Sequence, residues 1–256
     1  MIFKFQNKSI YYETYGEGPV MFLVHGFLES SEMWKPFLEA LSKENTVVIL
    51  DLPGHGSSDV LGETHSMELM AETIHALLEH LTIKTVTMVG HSMGGYISLA
   101  FVEKYSEKVT KLVLINSTPL ADSEEGKRNR DRALKIMDQT PKAYISMAIG
   151  NLFAEESRDK FPEEIENQKA QAYTFPVEGI KAAIRGMRDR KDRTEVMKNF
   201  PRAKFVLLAE DDPIMPISEN TQLAKETNTI VKIVSGGHMS SIEKRAEVRE
   251  FLHFVG

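Results

Sequence analysis

The sequence predicts an α/β protein built on a mostly parallel, doubly wound sheet with a long helical insertion, and three observations carry that prediction. Short runs apolar on both faces recur along the chain: Val20-Met21-Phe22-Leu23-Val24, Val47 to Leu50, Val86 to Val89, Leu112 to Ile115, Phe205 to Leu208 and Ile230 to Val234. Strands of that quality need helices above and below them. Segments of helical spacing separate the runs, which is the alternation a parallel sheet requires. Between Thr118 and Pro201 the alternation stops and only helical spacing remains, a stretch too long for a connecting loop.

Taken in order, residues 2 to 15 hold two alternating segments around the turn-like cluster Gln6-Asn7-Lys8-Ser9 and read as an antiparallel edge hairpin, closed by Gly16-Glu17-Gly18-Pro19. Ser31 to Lys43 reads as a helix in which Trp34 is a packing residue. From about Ser66 to Leu81, the residues Met67, Met70, Ile74, Leu77, Leu78 and Leu81 share one helical face, so the methionines are core filler. The insertion holds helical stretches at Ser123 to Asp138, Pro141 to Leu152, Glu156 to Ala172 and Val177 to Arg188, with breaks near Thr140-Pro141, Phe161-Pro162 and Phe175-Pro176. Asp192 to Phe200 returns as a short helix. The charges from Lys181 to Arg193 read most simply as a solvated face, a specific anion site being the lesser reading. Ser240-Ser241-Ile242-Glu243 offers a capping box to open the last helix, which turns Val248, Phe251, Leu252 and Val255 inward.

A chain of 256 residues with 42% hydrophobic content can fill one large domain or two small ones. Lys and Arg total 31 against 37 for Asp and Glu, a net charge of -6, so there is no basic field for nucleic acid or an anionic membrane. The absence of cysteine removes disulfides, thiolate nucleophiles and cysteine zinc sites together. The first residues alternate like a strand and lack the features of a signal peptide, and no run is long enough to span a bilayer. A soluble, cytoplasmic protein is the expectation, and no signal for an oligomeric state is present.

The chemistry centres on Gly90-His91-Ser92-Met93-Gly94, between an apolar strand and a helix with Tyr96, Leu99, Ala100 and Phe101 on one face. Ser92 stands at a sharp strand-to-helix turn, and Gly90, Gly94 and Gly95 supply the room. Its hydroxyl is held out above the sheet, with the Met93 amide and the start of the helix dipole aimed at the atom it would attack. Such a serine needs a base that works near neutrality, best an imidazole. Of eight histidines, His75, His80 and His253 fall within helices as surface or packing residues, and His65 sits in a polar helix-start segment. His238, between the last strand and the last helix, lies on the loop that can return an imidazole to the strand ends where Ser92 stands. The imidazole in turn needs a carboxylate on its other nitrogen, and Ala209-Glu210-Asp211-Asp212-Pro213 offers three acids after the preceding strand.

On these residues the chain resembles the α/β-hydrolase family over nearly its full length. The resemblance implies the α/β-hydrolase fold, with residues 1–119 and 189–256 as the core and 120–188 as a helical cap over the nucleophile. It puts the catalytic histidine at His238 and, aligned on Pro216, the acid at Asp212, with Asp211 the fallback. Val24-His25-Gly26-Phe27-Leu28 is similar to the family's His-Gly motif, whose next residue gives a backbone donor, so the amides of Phe27 and Met93 are the implied oxyanion hole. His25 and His91 read as structural residues, and Asp51-Leu52-Pro53-Gly54-His55-Gly56-Ser57-Ser58, another hallmark, as a tight turn held by side chains. A serine nucleophile disfavours the family's haloalkane dehalogenases and epoxide hydrolases. The implied activity is a carboxylesterase, cleaving small-molecule esters of small to medium acyl groups through an acyl-serine without metal or organic cofactor. Carbon-carbon bond hydrolases, the menaquinone-pathway lyase, cofactor-free perhydrolases and non-catalytic ligand-binding proteins on the same fold remain alternatives. Met147, Leu152, Phe153 and Tyr173 are candidate pocket residues.

Overall fold

A computed structural model describes residues 1–256. The chain opens with β1 (Ile2–Phe5) and β2 (Lys8–Tyr15), an antiparallel pair whose turn residues Gln6 and Asn7 both adopt positive φ. That is the backbone twist a tight hairpin needs. There follow β3 (Val20–Val24), a single 3₁₀ turn at Ser31–Trp34 running into α1 (Lys35–Leu41), β4 (Thr46–Leu50), α2 (Met67–His80), β5 (Val86–His91), α3 (Met93–Tyr105) and β6 (Val109–Ile115). Four helices come next without a strand: α4 (Glu124–Gln139), α5 (Pro141–Gly150), α6 (Pro162–Ala172) and α7 (Val177–Arg188). The chain closes through α8 (Thr194–Asn199), β7 (Ala203–Ala209), α9 (Ile217–Glu226), β8 (Ile230–Val234), α10 (Ser240–Glu243) and α11 (Arg245–Val255). No helix is long and apolar enough to cross a membrane.

The strands form one sheet in the order β1-β2-β4-β3-β5-β6-β7-β8. From β4 to β8 every pairing is parallel, and β2 joins β4 antiparallel. Successive residues of a strand point to opposite faces, so Phe22 and Val24 enter one core while Met21 and Leu23 enter the other. The first core is covered by α2, α3 and Phe200; the second by Trp34, α1 and α11. This two-sided covering is why the strands read as continuous apolar runs. Helix α2 shows the logic in one element: Ser66 caps it by accepting the Leu69 N–H at 3.1 Å, and Met67, Met70, Ile74, Leu77 and Leu78 are buried on one stripe. Each such side chain contributes roughly 1.5–3 kcal/mol of burial.

Several sequence expectations need correction. The helix expected from Glu156 starts only at Pro162, because proline fits the first helical turn and lacks the N–H that an interior position must donate. The capping box at Ser240 does not form: the Ser240 hydroxyl is drawn 2.5 Å from Asn116 Oδ1, α10 has no side-chain cap, and the chain breaks at Lys244 before α11. The charges before β7 are not all solvated. Arg193 is buried between Glu68, at 2.7 Å, and Glu103, at 3.0 Å, and Arg190 is buried beside Asp122.

The helices between β6 and β7 share an apolar cluster that includes Ala133, Met137, Tyr144, Ile149, Phe175 and Ile184, and that reaches Leu28 and Met239 at the strand ends. Helix α7 ties them to the loop between β4 and α2. Gly179 lies so close to Gly54 that a Cβ there would stand 2.6 Å from the Gly54 Cα, and the His65 N–H donates to the Ala182 carbonyl at 3.0 Å. We expect Gly179→Val to lose about 1–3 kcal/mol of stability through this overpacking, measured as a lower urea midpoint; an unchanged midpoint would show that the close approach is dispensable.

Candidate active site

The C-terminal ends of β3, β5, β6, β7 and β8 converge, and each delivers one part of the site. Ser92 follows β5 with φ 49° and ψ -116°, the left-handed region that a non-glycine residue enters only when its surroundings impose it. What imposes it is visible on both sides: its N–H donates to the Ile115 carbonyl at 3.0 Å, and the Ser117 hydroxyl donates to its carbonyl at 2.7 Å. A Cβ on Gly90 would collide with the backbone of Gly94 and Gly95, and one on Gly94 with the carbonyls of Val24 and His25. The glycines therefore let α3 start immediately against the sheet.

His238, on the loop after β8, lies with Nε2 2.8 Å from the Ser92 Oγ and Nδ1 2.7 Å from Asp212 Oδ2. Since the carboxylate can only accept, Nδ1 donates to it and Nε2 is left to accept from the serine hydroxyl. Asp212, not Asp211, makes this contact; Asp211 is exposed. Asp212 Oδ1 accepts the N–H groups of Ile214, at 2.8 Å, and Met215, at 3.0 Å, while Asn116 Nδ2 donates to Oδ2 at 3.1 Å. Burial alone would raise the Asp212 pKa, but the charge and hydrogen bond of His238 and these donors hold it below the ordinary carboxylate value. Asn116 itself takes positive φ, as does Leu28, which follows Phe27. The Phe27 and Met93 amides, the expected oxyanion donors, have no protein acceptor.

Beneath the serine lies a feature that sequence reasoning missed. Glu29, buried, accepts the Gly26 N–H at 2.6 Å and sits 2.8 Å from His91 Nδ1, while His91 Nε2 is 3.0 Å from the His238 carbonyl. Both ring nitrogens of His91 thus face groups that can only accept, and both must carry a proton. Burial opposes that charge, yet the Glu29 carboxylate outweighs it and raises the His91 pKa; Glu29 is lowered in turn, against its own burial, by the charge of His91. His91 does more than shape the turn, because its second N–H grips the backbone of His238. Nothing near Glu29 in the sequence announces this, since its partner is 62 residues away.

Other histidines go the opposite way. Burial pushes His25 down to about 4, His55 to about 3 and His65 to about 4. His25 braces the loop as expected, its Nε2 accepting the Leu52 N–H at 2.9 Å and its Nδ1 donating to the Gly26 carbonyl at 2.8 Å. Asp51 holds its turn through the N–H groups of Ser31 and Ser57, both at 2.8 Å.

Ser92 and His238 open onto a cavity of about 780 Å³, walled by Phe27, Tyr96, Ala133, Ile136, Tyr144 and Met187 among others. Of the candidate pocket residues, Met147 and Leu152 line it. Phe153 is instead packed in the apolar cluster of the inserted helices and Tyr173 is on the surface.

A half-exposed serine, an imidazole and a carboxylate hydrogen-bonded in series at the carboxyl ends of a doubly wound sheet define a hydrolase-type site. The family model described as alpha/beta hydrolase fold matches residues 19–245, and the chain belongs to that family. A solved structure of a thermophilic esterase from Thermogutta terrifontis, with malate bound, is 31% identical with a TM-score of 0.90, covering 97% of this chain and 94% of its own. The dihydrolipoyllysine-residue acetyltransferase component of an acetoin cleaving system from Pseudomonas putida is 28% identical over 94% of this chain; the chain spans 64% of that protein's length. A non-heme haloperoxidase from Rhodococcus erythropolis is 28% identical over 84% of this chain and 83% of its own.

Two expectations follow from the histidines. In Glu29→Gln the His91 ring should lose the charge that sustains its proton. Its NMR titration midpoint should lie above 6.5 in the parent and fall in the variant; an unmoved midpoint would remove Glu29 from this role. Separately, His25, His55 and His65 are held neutral when folded but take up protons from about pH 6.5 downward when unfolded. Stability contributed by their neutral burial is therefore full above pH 6.5 and falls as the pH drops toward 4, by about 1.4 kcal/mol per unit for each. Urea midpoints measured from neutral to acid pH should show this slope, and His65→Gln should make it shallower.

Proposed function

We propose that this member of the family is a serine esterase acting on carboxylic esters of small to medium acyl groups. The observation that carries the proposal is the Ser92 hydroxyl 2.8 Å from an imidazole nitrogen whose partner nitrogen is fixed by Asp212 at 2.7 Å, on the floor of a largely apolar cavity. Ser92 Oγ attacks the ester carbonyl as His238 Nε2 takes its proton. Asp212 keeps the imidazole in the tautomer that can accept and stabilises the imidazolium once formed. The amides of Phe27 and Met93 receive the negative charge that develops on the carbonyl oxygen. His238 returns the proton to the departing alcohol, leaving an acyl-serine. Water, deprotonated by the same imidazole, then releases the acid and restores Ser92.

The segment 120–188 serves in this reading as a lid. Helices α4 and α5 contribute Ala133, Ile136, Tyr144, Met147 and Ala148 to the cavity wall, so they select what reaches the serine. The His238 N–H donates to the Leu152 carbonyl at 2.9 Å, which ties the imidazole loop to the lid. The likeness to the Thermogutta esterase supports the choice of ester as substrate.

The test is stopped-flow release of nitrophenol from a chain-length series of nitrophenyl esters. The parent should show a burst followed by turnover, and Ser92→Ala and His238→Ala should lose on the order of 10⁴ to 10⁶ in kcat while remaining folded by circular dichroism. No burst and no turnover at any chain length would overturn the esterase reading.

A further inference from the structure

The cavity has one charged wall, and its charges do not balance. Arg190 is buried with its guanidinium over the Tyr96 ring, Cζ 4.1 Å from the ring centre. Its Nε donates to the Leu120 carbonyl and its Nη1 to the Met187 carbonyl, each at 3.0 Å, and Nη1 also pairs with Asp122. Arg130, on α4, donates from Nε to the other oxygen of Asp122 at 3.1 Å. Asp122 is the one acid that pairs with either arginine, so two guanidiniums share a single carboxylate. Nη1 and Nη2 of Arg130 and Nη2 of Arg190 have no protein acceptor, although both residues line the cavity. Tyr144 lines it too, its hydroxyl without a protein partner; burial raises its pKa while the nearby Arg130 charge opposes that rise.

The other acids on the wall do not compensate. Glu29 is committed to His91, and Glu219 is exposed, as is Arg132. Arg190 is buried, and a buried guanidinium that shares its one carboxylate is costly unless something completes its hydrogen bonds. Its parallel N–H groups fit a planar carboxylate in a two-pronged contact. Ser92 and Tyr96 are one turn of α3 apart, about 6 Å along the axis, so a short ligand can reach from the serine toward the charged wall. Ile136, Met147, Ala148 and Met187 supply apolar contact, and among the polar residues of the wall, which include Asn129, Asn151 and Asn220, the arginines are the ones that offer positive charge together with paired donors.

We propose that Arg130, held by Asp122 beside Arg190, forms a carboxylate subsite, and that the preferred substrates are esters carrying a second, free carboxylate, as in half-esters of short dicarboxylic acids. This assignment of substrate class rests on the esterase reading. The proposed subsite would draw on Arg190, from the Lys181 to Arg193 charges whose lesser sequence reading is an anion site, and on Arg130 of α4.

The test uses the full chain and two readouts. First, pH-stat kinetics compare monomethyl succinate, glutarate and adipate with methyl butanoate, pentanoate and hexanoate. The parent should favour the anionic member of at least one pair by about tenfold or more in kcat/KM. That preference should fall by a similar factor in Arg130→Gln and be partly regained in Arg130→Lys, which keeps the charge without the fork. Arg128→Gln, on the exposed face of α4, controls for bulk charge and should keep the preference. Second, calorimetry on Ser92→Ala measures binding of the same half-esters without turnover, and binding should be lost when Arg130→Gln is added. Hydrolysis of the neutral esters with no anionic preference and no selective binding would overturn the subsite and leave the esterase. Selective, Arg130-dependent binding with no hydrolysis of either set would uphold the subsite and overturn the esterase.

Discussion

The structure depends on a backbone turn that the chain would not adopt alone. Ser92 is held at positive φ between β5 and α3, a conformation costing on the order of 1–3 kcal/mol. The neighbouring strand and Ser117 meet that cost through two hydrogen bonds, and glycines allow the helix to begin without a spacer. Leu28 and Asn116 take the same left-handed region on adjacent strand ends. Three strained residues thus surround one point, each presenting a polar group that regular structure would have consumed: a hydroxyl, a free amide beside Leu28, and a side-chain amide directed at Asp212. The sheet supplies the rigidity that makes this strain tolerable.

Around that point the protein treats its histidines in two ways. His25, His55 and His65 are buried as neutral rings, with His25 and His55 each donating to a nearby carbonyl. His91 is buried as a cation because Glu29 is buried with it. A buried ion pair of this kind is weak support for stability, since desolvating two charges offsets most of their attraction. Its value lies in direction: a charged imidazole has two donors, so one ring links the loop after β3 to the loop after β8. The backbone of His238 is thereby held from below by His91 and from the side by Leu152.

Much of this was legible in the sequence. Strands covered on both faces betray themselves as unbroken apolar runs, and the glycine spacing around Ser92 fixes a turn with little freedom. His238 was legible because few loops lead back to the strand ends. Asp211 and Asp212 were harder to separate, since adjacent residues differ only in the direction they face, and the geometry alone shows which one meets the imidazole. Glu29, Asn116 and Ser240 were not legible at all. Their partners lie 62 to 124 residues away, and a polar residue carries no local sign of a distant contact. The same reason explains the misreading of Arg190 and Arg193 as solvated, and of Ser240 as a cap: propensity names what a side chain can do nearby, while the fold decides which acceptor it reaches first.

The close seating of α7 against the Gly54 turn bears on how such a protein can change over time. Helix α7 is locked to the loop between β4 and α2 by backbone-to-backbone contact, which leaves little room for side-chain drift at Gly179 and Gly54. Helices α4 and α5 meet the cavity through side chains alone. Inheritance can therefore tinker with α4 and α5, one residue at a time, while the anchored helix keeps the remodelled roof in register with the machinery below it.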